Sequence, residues 1–425
     1  MTSSSKEALA IEYCESMAQL HPDLAADYYQ PMQSFLATKR WHQLTLKILE
    51  FVHDTRNIRQ TVHDDNGHSF LTLYDQVVQS VDAKLHPLSL ARIAAAVAGA
   101  LAEHDLTAAK AVLENVIANK KVINAVATIF AQSKHSLLCL QSLPPENTPQ
   151  RKEALDAILS VIRSNATTLN ELLISDPVDQ AIVNAAHLEQ AMMYYKIVGP
   201  AEAFYEQAIQ FLHYAPSPGP TSSSRSSSSS STGVNYHQLA VDLCLAALTA
   251  DGVYNLGQVL ESAPKQLILS LKDSPEGWLV DILRACADGD LTQFRQLTEQ
   301  HAEAIQQQPA LVHRATAVQE KLTLLALVKM IFAKPAHERT LAFSEIAEQL
   351  MVPEDQVEWI IMRALSVKLI KGSIDQVDRT LQVTWVLPRV LNQEQLVSLA
   401  GRYGEWAAKV GRIQEKIQDQ TVTFA

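Results

Sequence analysis

The chain has 425 residues, enough for two or more domains and a sizeable buried core. Its 35 lysines and arginines against 46 aspartates and glutamates give a formal net charge of −11, which disfavours polyanions and anionic membranes as partners of the whole chain. Thirteen glycines, few aromatic residues and abundant leucine, alanine, isoleucine and glutamine predict a mainly α protein.

The cysteines and the apolar runs indicate the compartment. The four cysteines are far apart and form no C-x-x-C pair, which suits a reducing compartment; they are Cys14, Cys139, Cys244 and Cys286. The start of the chain lacks the apolar core of a signal peptide. The most apolar run, Leu88 to Ala102, is interrupted by Arg92 and is too short to span a bilayer. We therefore expect a protein of the cytoplasm and nucleus that has no membrane partner.

Residues 1–215 read as short helices separated by brief polar breaks, the pattern of a helical-repeat solenoid. The first predicted helices are Lys6–Leu20, Pro22–Thr38, Trp41–Phe51, Leu71–Lys84, Ser89–Glu103 and Thr107–Asn119. The run Tyr194 to Ala208 resembles part of a tetratricopeptide repeat: the small residues Gly199, Ala203 and Ala208 would let two helices approach, and the tyrosines would fill the groove between them. No strict 34-residue period recurs, so an irregular helical bundle remains the alternative.

A proline- and serine-rich tract, residues 216–233, follows the first array. It has almost no apolar side chains to bury, so we expect a disordered insertion that the scaffold tolerates. A phosphorylated switch is the alternative interpretation. Helices resume in residues 234–335, the second part of the array; the predicted ones are Gln238–Thr249, Leu256–Leu260, Pro264–Leu271, Trp278–Ala287 and Ala317–Phe332.

Residues 336–391 predict a winged helix. Thr340–Phe343 reads as a short strand, Ser344 as the N-cap of a first helix, and Pro353 as the start of a second. An apolar stripe at three- and four-residue spacing follows that proline; it consists of Val357, Ile360, Ile361, Ala364 and Val367. Gly372 and the polar run from Asp375 to Arg379 are expected to turn the chain. Leu381, Val383 and Trp385 then alternate with polar residues, as in a strand.

A winged helix usually suggests DNA binding, but here the charges disfavour it. Phosphate neutralisation needs lysine and arginine, and between Glu354 and Arg379 the bases are only Arg363, Lys368, Lys371 and Arg379. Acidic residues outnumber them, and three of these begin the helix that would enter the major groove: Glu354, Asp355 and Glu358. We therefore expect a protein-docking surface, with Lys371 and Arg379 of the wing in contact with a partner and no nucleic acid bound.

Residues 392–425 predict a final helix with a heptad seam. The seam residues alternate at three- and four-residue spacing: Leu396, Leu399, Tyr403, Trp406, Val410, Ile413 and Ile417. Gly401, Gly404 and Gly411 lie off the seam and weaken the isolated helix. A narrow seam on a weak helix favours a helix completed by partner helices. In the alternative interpretation, the helix folds back on its own domain.

No sequence motif provides an active site. The fourteen histidines include no H-E-x-x-H or H-x-H, and no phosphate loop, dinucleotide fingerprint or nucleophile elbow occurs. We therefore expect a protein that is not an enzyme, with no catalytic, cofactor-binding or metal-binding residues.

A helical array that leads into a winged helix and a bundle helix resembles the PCI family. This family contains scaffold subunits of the proteasome lid, the COP9 signalosome and a translation initiation factor complex. The runs that carry the resemblance are Lys39–Leu46, His86–Leu90, Val253–Gly257, Ala364–Asp378 and Val383–Leu391, and they are most similar to PCI subunits of the proteasome lid.

The resemblance implies a fold and a set of partners. It implies a TPR-like solenoid, a winged-helix PCI domain and a C-terminal bundle helix in a non-catalytic scaffold subunit of the 19S regulatory particle lid. The winged helix would adjoin other PCI subunits. The last helix would join a bundle with MPN-type subunits, including the deubiquitinase, and a ubiquitin-receptor subunit would lie nearby. The alternative is a PCI subunit of a related complex such as the signalosome.

Overall fold

The chain forms two compact units, Met1–Tyr236 and His237–Ala425, in a computed structural model. The structure describes residues 3–53, 68–102, 104–119, 122–145, 148–172, 176–214, 234–261, 265–334, 339–388, 390 and 393–422. The predicted disordered insertion, residues 216–233, lies outside the described residues. The domain boundaries predicted from the sequence therefore stay predictions.

The described part of the first unit is helical throughout, as predicted. Its helices are α1 (Ser3–Leu20), α2 (Pro22–Leu24), α3 (Gln30–Ala37), α4 (Trp41–His53), α5 (His68–Leu73), α6 (Pro87–Leu101), α7 (Leu106–Ala118), α8 (Ala125–Gln141), α9 (Pro149–Glu171), α10 (Pro177–Val198) and α11 (Ala201–Tyr214). Two predicted helices, Pro22–Thr38 and Leu71–Lys84, are not continuous α-helices. Each contains a π-helical turn, at Ala25–Tyr29 and Tyr74–Val78 respectively.

The most apolar run of the sequence is a central core helix. In α6, Leu88, Ile93, Val97 and Leu101 are at most 1% exposed, and the helix packs against α4, α7 and α8. A helix covered on several sides needs apolar residues all round, which explains why this run has little amphipathic pattern. Among the helices of the described residues, none has the length and apolarity needed to cross a membrane.

The run that resembles a tetratricopeptide repeat forms a closely packed helix pair. Helices α10 and α11 are joined at Gly199, whose φ of 80° lies in the left-handed region that suits glycine. Ala208 is fully buried in the pair, and Tyr194 and Tyr205 are each 5% exposed. The burial of Ala208 and Tyr205 agrees with the close packing predicted for this pair, whereas Tyr194 shares a buried cluster with residues of α8 and α9.

The second unit begins with the second part of the helical array. Its helices are α12 (Tyr236–Thr249), α13 (Gly257–Glu261), α14 (Lys265–Leu269), α15 (Gly277–Asp288), α16 (Leu291–Gln300), α17 (Ala302–Gln306), α18 (Pro309–His313) and α19 (Ala315–Ala333). Helices α16, α17 and α18 are absent from the predicted set; they are short, and one buried residue in each of α16 and α18 leaves little apolar pattern to detect.

The winged helix is confirmed. Its elements are β1 (Thr340–Ala342), α20 (Phe343–Leu350), α21 (Glu354–Ser366), β2 (Ile370–Asp375) and β3 (Thr380–Val386). The strands form an antiparallel sheet in the order β1-β3-β2. Leu327 and Ile331 of α19 share a buried core with Leu341 and Ile361, so the last helix of the array and the winged helix are packed together.

The first helix of this domain starts earlier than predicted. Strand β1 ends at Ala342, and the backbone N–H of Phe343 donates to the carbonyl of Arg379 at 2.9 Å. Phe343 is already the first residue of α20, so Ser344 lies inside the helix and is not its N-cap. Pro353 is the N-cap of α21 and not its first residue, so this helix begins one residue later than predicted, with Glu354 and Asp355 in the first turn as expected.

Gly372 does not turn the chain, contrary to the prediction. It lies inside β2, next to a register shift between Lys371 and Gly372. A Cβ atom at this position would lie 2.2 Å from the carbonyl oxygen of Gln382. Glycine is needed here because the two strands approach closely at the bulge. The turn itself falls between β2 and β3, at residues 376–379.

Candidate assembly interface

The last helix, α22 (Gln393–Val422), contains 30 residues and is about 45 Å long. The predicted seam forms one face of it, and most of its side chains are strongly exposed: Leu396 52%, Tyr403 64%, Trp406 65%, Val410 43%, Ile413 57% and Ile417 57%. Leu399 is the exception, with intermediate exposure. The structure therefore brings all seven predicted seam residues onto one largely exposed helix.

This exposure bears on the alternative in which α22 folds back on its own domain. That alternative predicts buried seam side chains, whereas a tryptophan and two isoleucines of the seam are more than half exposed. Contiguous exposed apolar surface on a soluble protein marks an interaction site. The seam is thus a candidate surface for partner helices.

The three glycines of α22 are not required by packing inside the described chain. A Cβ atom added at Gly401, Gly404 or Gly411 would meet no heavy atom within 4 Å. Glycine costs roughly 0.5–1 kcal/mol relative to alanine in a helix interior. The helix therefore has low intrinsic stability, as the sequence predicted, and contacts with other helices would stabilise it.

The two predicted wing residues are exposed, and each contacts another residue of the winged helix. The ammonium nitrogen of Lys371 lies 5.0 Å from the centroid of the Trp385 ring. Arg379 has a φ of 49° and its guanidinium donates to Glu354 at 3.1 Å. This ion pair is exposed on both sides, so it adds little stability. Both cations are available to a partner without being buried by the fold.

A second exposed apolar surface, which the sequence patterns did not reveal, lies on the winged helix. On α21, Trp359 is 54% exposed and Met362 is 49% exposed. Val377, at the turn between the wing strands, is 92% exposed. An amide of Gln376 donates to Glu358 at 3.2 Å, which connects the turn to α21. The only signal of this surface in the sequence is the position of Trp359 and Met362, which are three residues apart and lie outside the apolar stripe of α21.

The electrostatics of this face also disfavour DNA. Arg363 donates to Glu320 at 2.9 Å, and Arg379 contacts Glu354, so two of the four bases already face carboxylates. Asp375 accepts hydrogen bonds from the backbone of Val377 and Asp378 and fixes an acidic wing turn. A groove-reading helix needs a basic surface, and α21 presents acidic and apolar side chains instead.

The described residues contain no arrangement typical of a metal centre. Within those ranges, no three histidine, cysteine or carboxylate side chains come together to hold an ion. All four cysteines are free, and three of them are buried. Burial raises the pKa of the Cys244 and Cys286 thiols to about 12, which makes them inert core residues.

A helical array that shares a core with a winged helix, followed by a long helix with an exposed seam, defines a PCI-type scaffold. Comparisons with known proteins agree with this class. The model for PSD13 N-terminal repeats matches residues 28–283, and the PCI domain model matches residues 298–385.

Three relatives resemble this chain along almost its whole length. The 26S proteasome non-ATPase regulatory subunit 13 homolog B of Arabidopsis thaliana is 30% identical over 97% of this chain and 98% of its own. Subunit 13 of Dictyostelium discoideum is 27% identical, with 97% of both chains covered. The regulatory subunit RPN9 of Saccharomyces cerevisiae is 26% identical over 95% of this chain and 94% of its own. The chain belongs to the family of 26S proteasome non-ATPase regulatory subunit 13.

Proposed function

We propose that this chain is a non-catalytic scaffold subunit of the regulatory-particle lid of the 26S proteasome and supports ubiquitin-dependent protein degradation. The relatives are proteasome regulatory subunits by name, and the family models cover both the repeats and the PCI domain. The signalosome alternative has no support from these comparisons.

One observation carries the proposal: the heptad seam of α22 is exposed along the helix. Trp406 and Val410, one turn apart at its centre, are 65% and 43% exposed. Burying a large apolar side chain contributes roughly 1.5–3 kcal/mol, so several seam residues together supply enough free energy for stable helix association. Lid subunits that contribute one helix each to a bundle would bury this face.

The proposed partners follow from the two exposed surfaces. The winged helix would adjoin other PCI-type lid subunits through the wing and through Trp359 and Met362 of α21. The seam of α22 would join MPN-type subunits, including the deubiquitinase. A ubiquitin-receptor subunit would lie nearby. The acidic and apolar face of α21 supports a protein partner over a nucleic acid.

The chain would have no catalytic activity, cofactor or metal of its own. It would act in the cytoplasm and nucleus as part of the assembled particle, without binding a membrane. Its contribution to degradation would be to hold catalytic and receptor subunits in place.

The test is to replace Trp406 and Val410 with aspartate in the full chain. Loss of two buried apolar contacts should remove about 3–6 kcal/mol of association free energy, so the variant should no longer co-sediment with full-size proteasome. Because both side chains are exposed in the structure, the isolated variant should keep its helical circular dichroism and a melting temperature close to wild type.

A matched control places two aspartates on the opposite face of the same helix, so the added charge is the same. Gly401 and Ala408 are exposed and off the seam, so the double aspartate variant at these positions should still enter the lid. If the seam variant instead melts at a markedly lower temperature as a monomer, α22 packs on its own domain. That result would contradict the proposed interface.

A further inference from the structure

Cys139 differs from the other three cysteines because it faces charged side chains. Its sulfur lies 3.9 Å from Nδ1 and 4.0 Å from Nε2 of His135, one turn earlier on α8. Nε2 of the same imidazole lies 3.2 Å from a carboxylate oxygen of Glu114 on α7. Helices α7 and α8 pack against each other. A thiol, an imidazole and a carboxylate therefore follow one another across this helix pair.

The contact with Glu114 favours one tautomer of the neutral imidazole. A carboxylate accepts a hydrogen bond and cannot donate one when ionised, so Glu114 favours the tautomer with its proton on Nε2. Nδ1 is then the unprotonated ring nitrogen, and it lies 3.9 Å from the sulfur of Cys139. This is the arrangement by which an adjacent base, oriented by a third group, activates a nucleophile.

The electrostatics agree with this geometry. Burial by itself raises the pKa of the Cys139 thiol, but His135 and the ammonium of Lys110 more than offset it, so the pKa lies below its ordinary value. The pKa of His135 is raised by its contact with Cys139 and by Glu114, against the opposing effect of burial. Lys110 is held in place by a hydrogen bond from its ammonium to the hydroxyl of Ser142.

The other cysteines provide internal controls. Cys14, Cys244 and Cys286 are at most 3% exposed, whereas Cys139 is partly exposed at the surface of the first unit. Burial raises the pKa of each of these three thiols to about 12. A thiol must be both ionised and accessible to react, and of the four cysteines only Cys139 is partly exposed and has a lowered pKa.

We propose that Cys139 is an activated thiol and the preferred site on this chain for oxidation by hydrogen peroxide. The thiolate sulfur attacks one peroxide oxygen and forms an S–O bond while the O–O bond breaks. The leaving hydroxide takes the proton of the His135 imidazolium and departs as water. Sulfur is oxidised to sulfenic acid and peroxide is reduced, so no further reactant is needed.

The experiment measures the rate of Cys139 alkylation by iodoacetamide in the folded full chain, by mass spectrometry, across a range of pH. In wild type, Cys139 should react at least tenfold faster than the other cysteines, with a midpoint below the ordinary thiol pKa of about 8.5. His135→Asn should slow alkylation at neutral pH at least fivefold. The two rates should converge at alkaline pH, where both thiols are ionised.

A merely structural role of His135 would not produce that pH-dependent convergence. His42→Asn, at an exposed histidine of α4, should leave the Cys139 profile unchanged. With peroxide and the sulfenic-acid probe dimedone, label should appear on Cys139 in wild type and fall in His135→Asn. A wild-type midpoint at or above the ordinary value, or equal rates in wild type and His135→Asn at neutral pH, would overturn the proposal.

Discussion

The ammonium nitrogen of Lys321, in α19, lies 2.6 Å from the carbonyl oxygen of Ala247 and 3.1 Å from that of Ala250. These carbonyls belong to the C-terminal end of α12 and the residue after it, where the backbone lacks intrahelical donors. Lys321 is only 8% exposed. The buried ammonium of Lys321 thus donates hydrogen bonds to carbonyl groups at the C-terminal end of α12. This is the end of a helix dipole that favours a positive charge.

Replacing Lys321 with methionine should destabilise the second unit. Methionine keeps most of the side-chain volume but leaves buried carbonyl groups without a donor, which costs about 1–3 kcal/mol. The measurement is urea denaturation of the full chain, followed by circular dichroism. Lys329→Met, at an exposed lysine of the same helix, is the control and should cost much less. Equal losses in the two variants would mean that the hydrogen bonds of Lys321 contribute no net stability.

Gly372→Ala should destabilise the winged helix. The added Cβ atom would lie 2.2 Å from the carbonyl oxygen of Gln382, so the two wing strands would have to separate. Forcing an extra carbon into a tightly packed position costs about 1–3 kcal/mol. Ser373→Ala, at the exposed neighbouring position, should be close to neutral. Comparison of the two urea midpoints tests the prediction, and an unchanged midpoint for Gly372→Ala would show that the bulge can relax at little cost.

Replacing Lys371 and Arg379 with glutamate should weaken assembly into the lid, and neither the wild type nor the variant should bind DNA. Both side chains are exposed, so charge reversal changes the surface offered to a partner while the buried core stays intact. Incorporation into the lid should fall, and fluorescence anisotropy with duplex DNA should show negligible affinity for wild type and variant alike. Salt-sensitive, submicromolar DNA binding by the wild type would contradict this prediction.

Local sequence patterns are sufficient to predict much of the fold and one of the two exposed apolar surfaces, the seam of α22. Apolar spacing of three and four residues predicts both the buried stripe of α21 and the seam of α22, because a helix places such residues on one face whatever surrounds it. Alternation predicts β3, and the balance of acids and bases in the winged helix disfavours DNA from composition alone. The resemblance to the PCI family adds the class of partner.

Contacts between residues distant in sequence decide the rest. No residue near Gly372 in the sequence indicates that Gln382 lies against it. The sequence therefore predicts a turn at this glycine, although it lies in a strand. Lys321 and Ala247 are 74 residues apart, and a lysine in an apolar helix gives no sign of its acceptor. Cys139 and His135 are visible as a helical pair, but Glu114 joins them only because α7 packs on α8. Periodicity determines which face of a helix is apolar, whereas tertiary packing determines what that face meets and which side chains, such as Trp359, stay exposed.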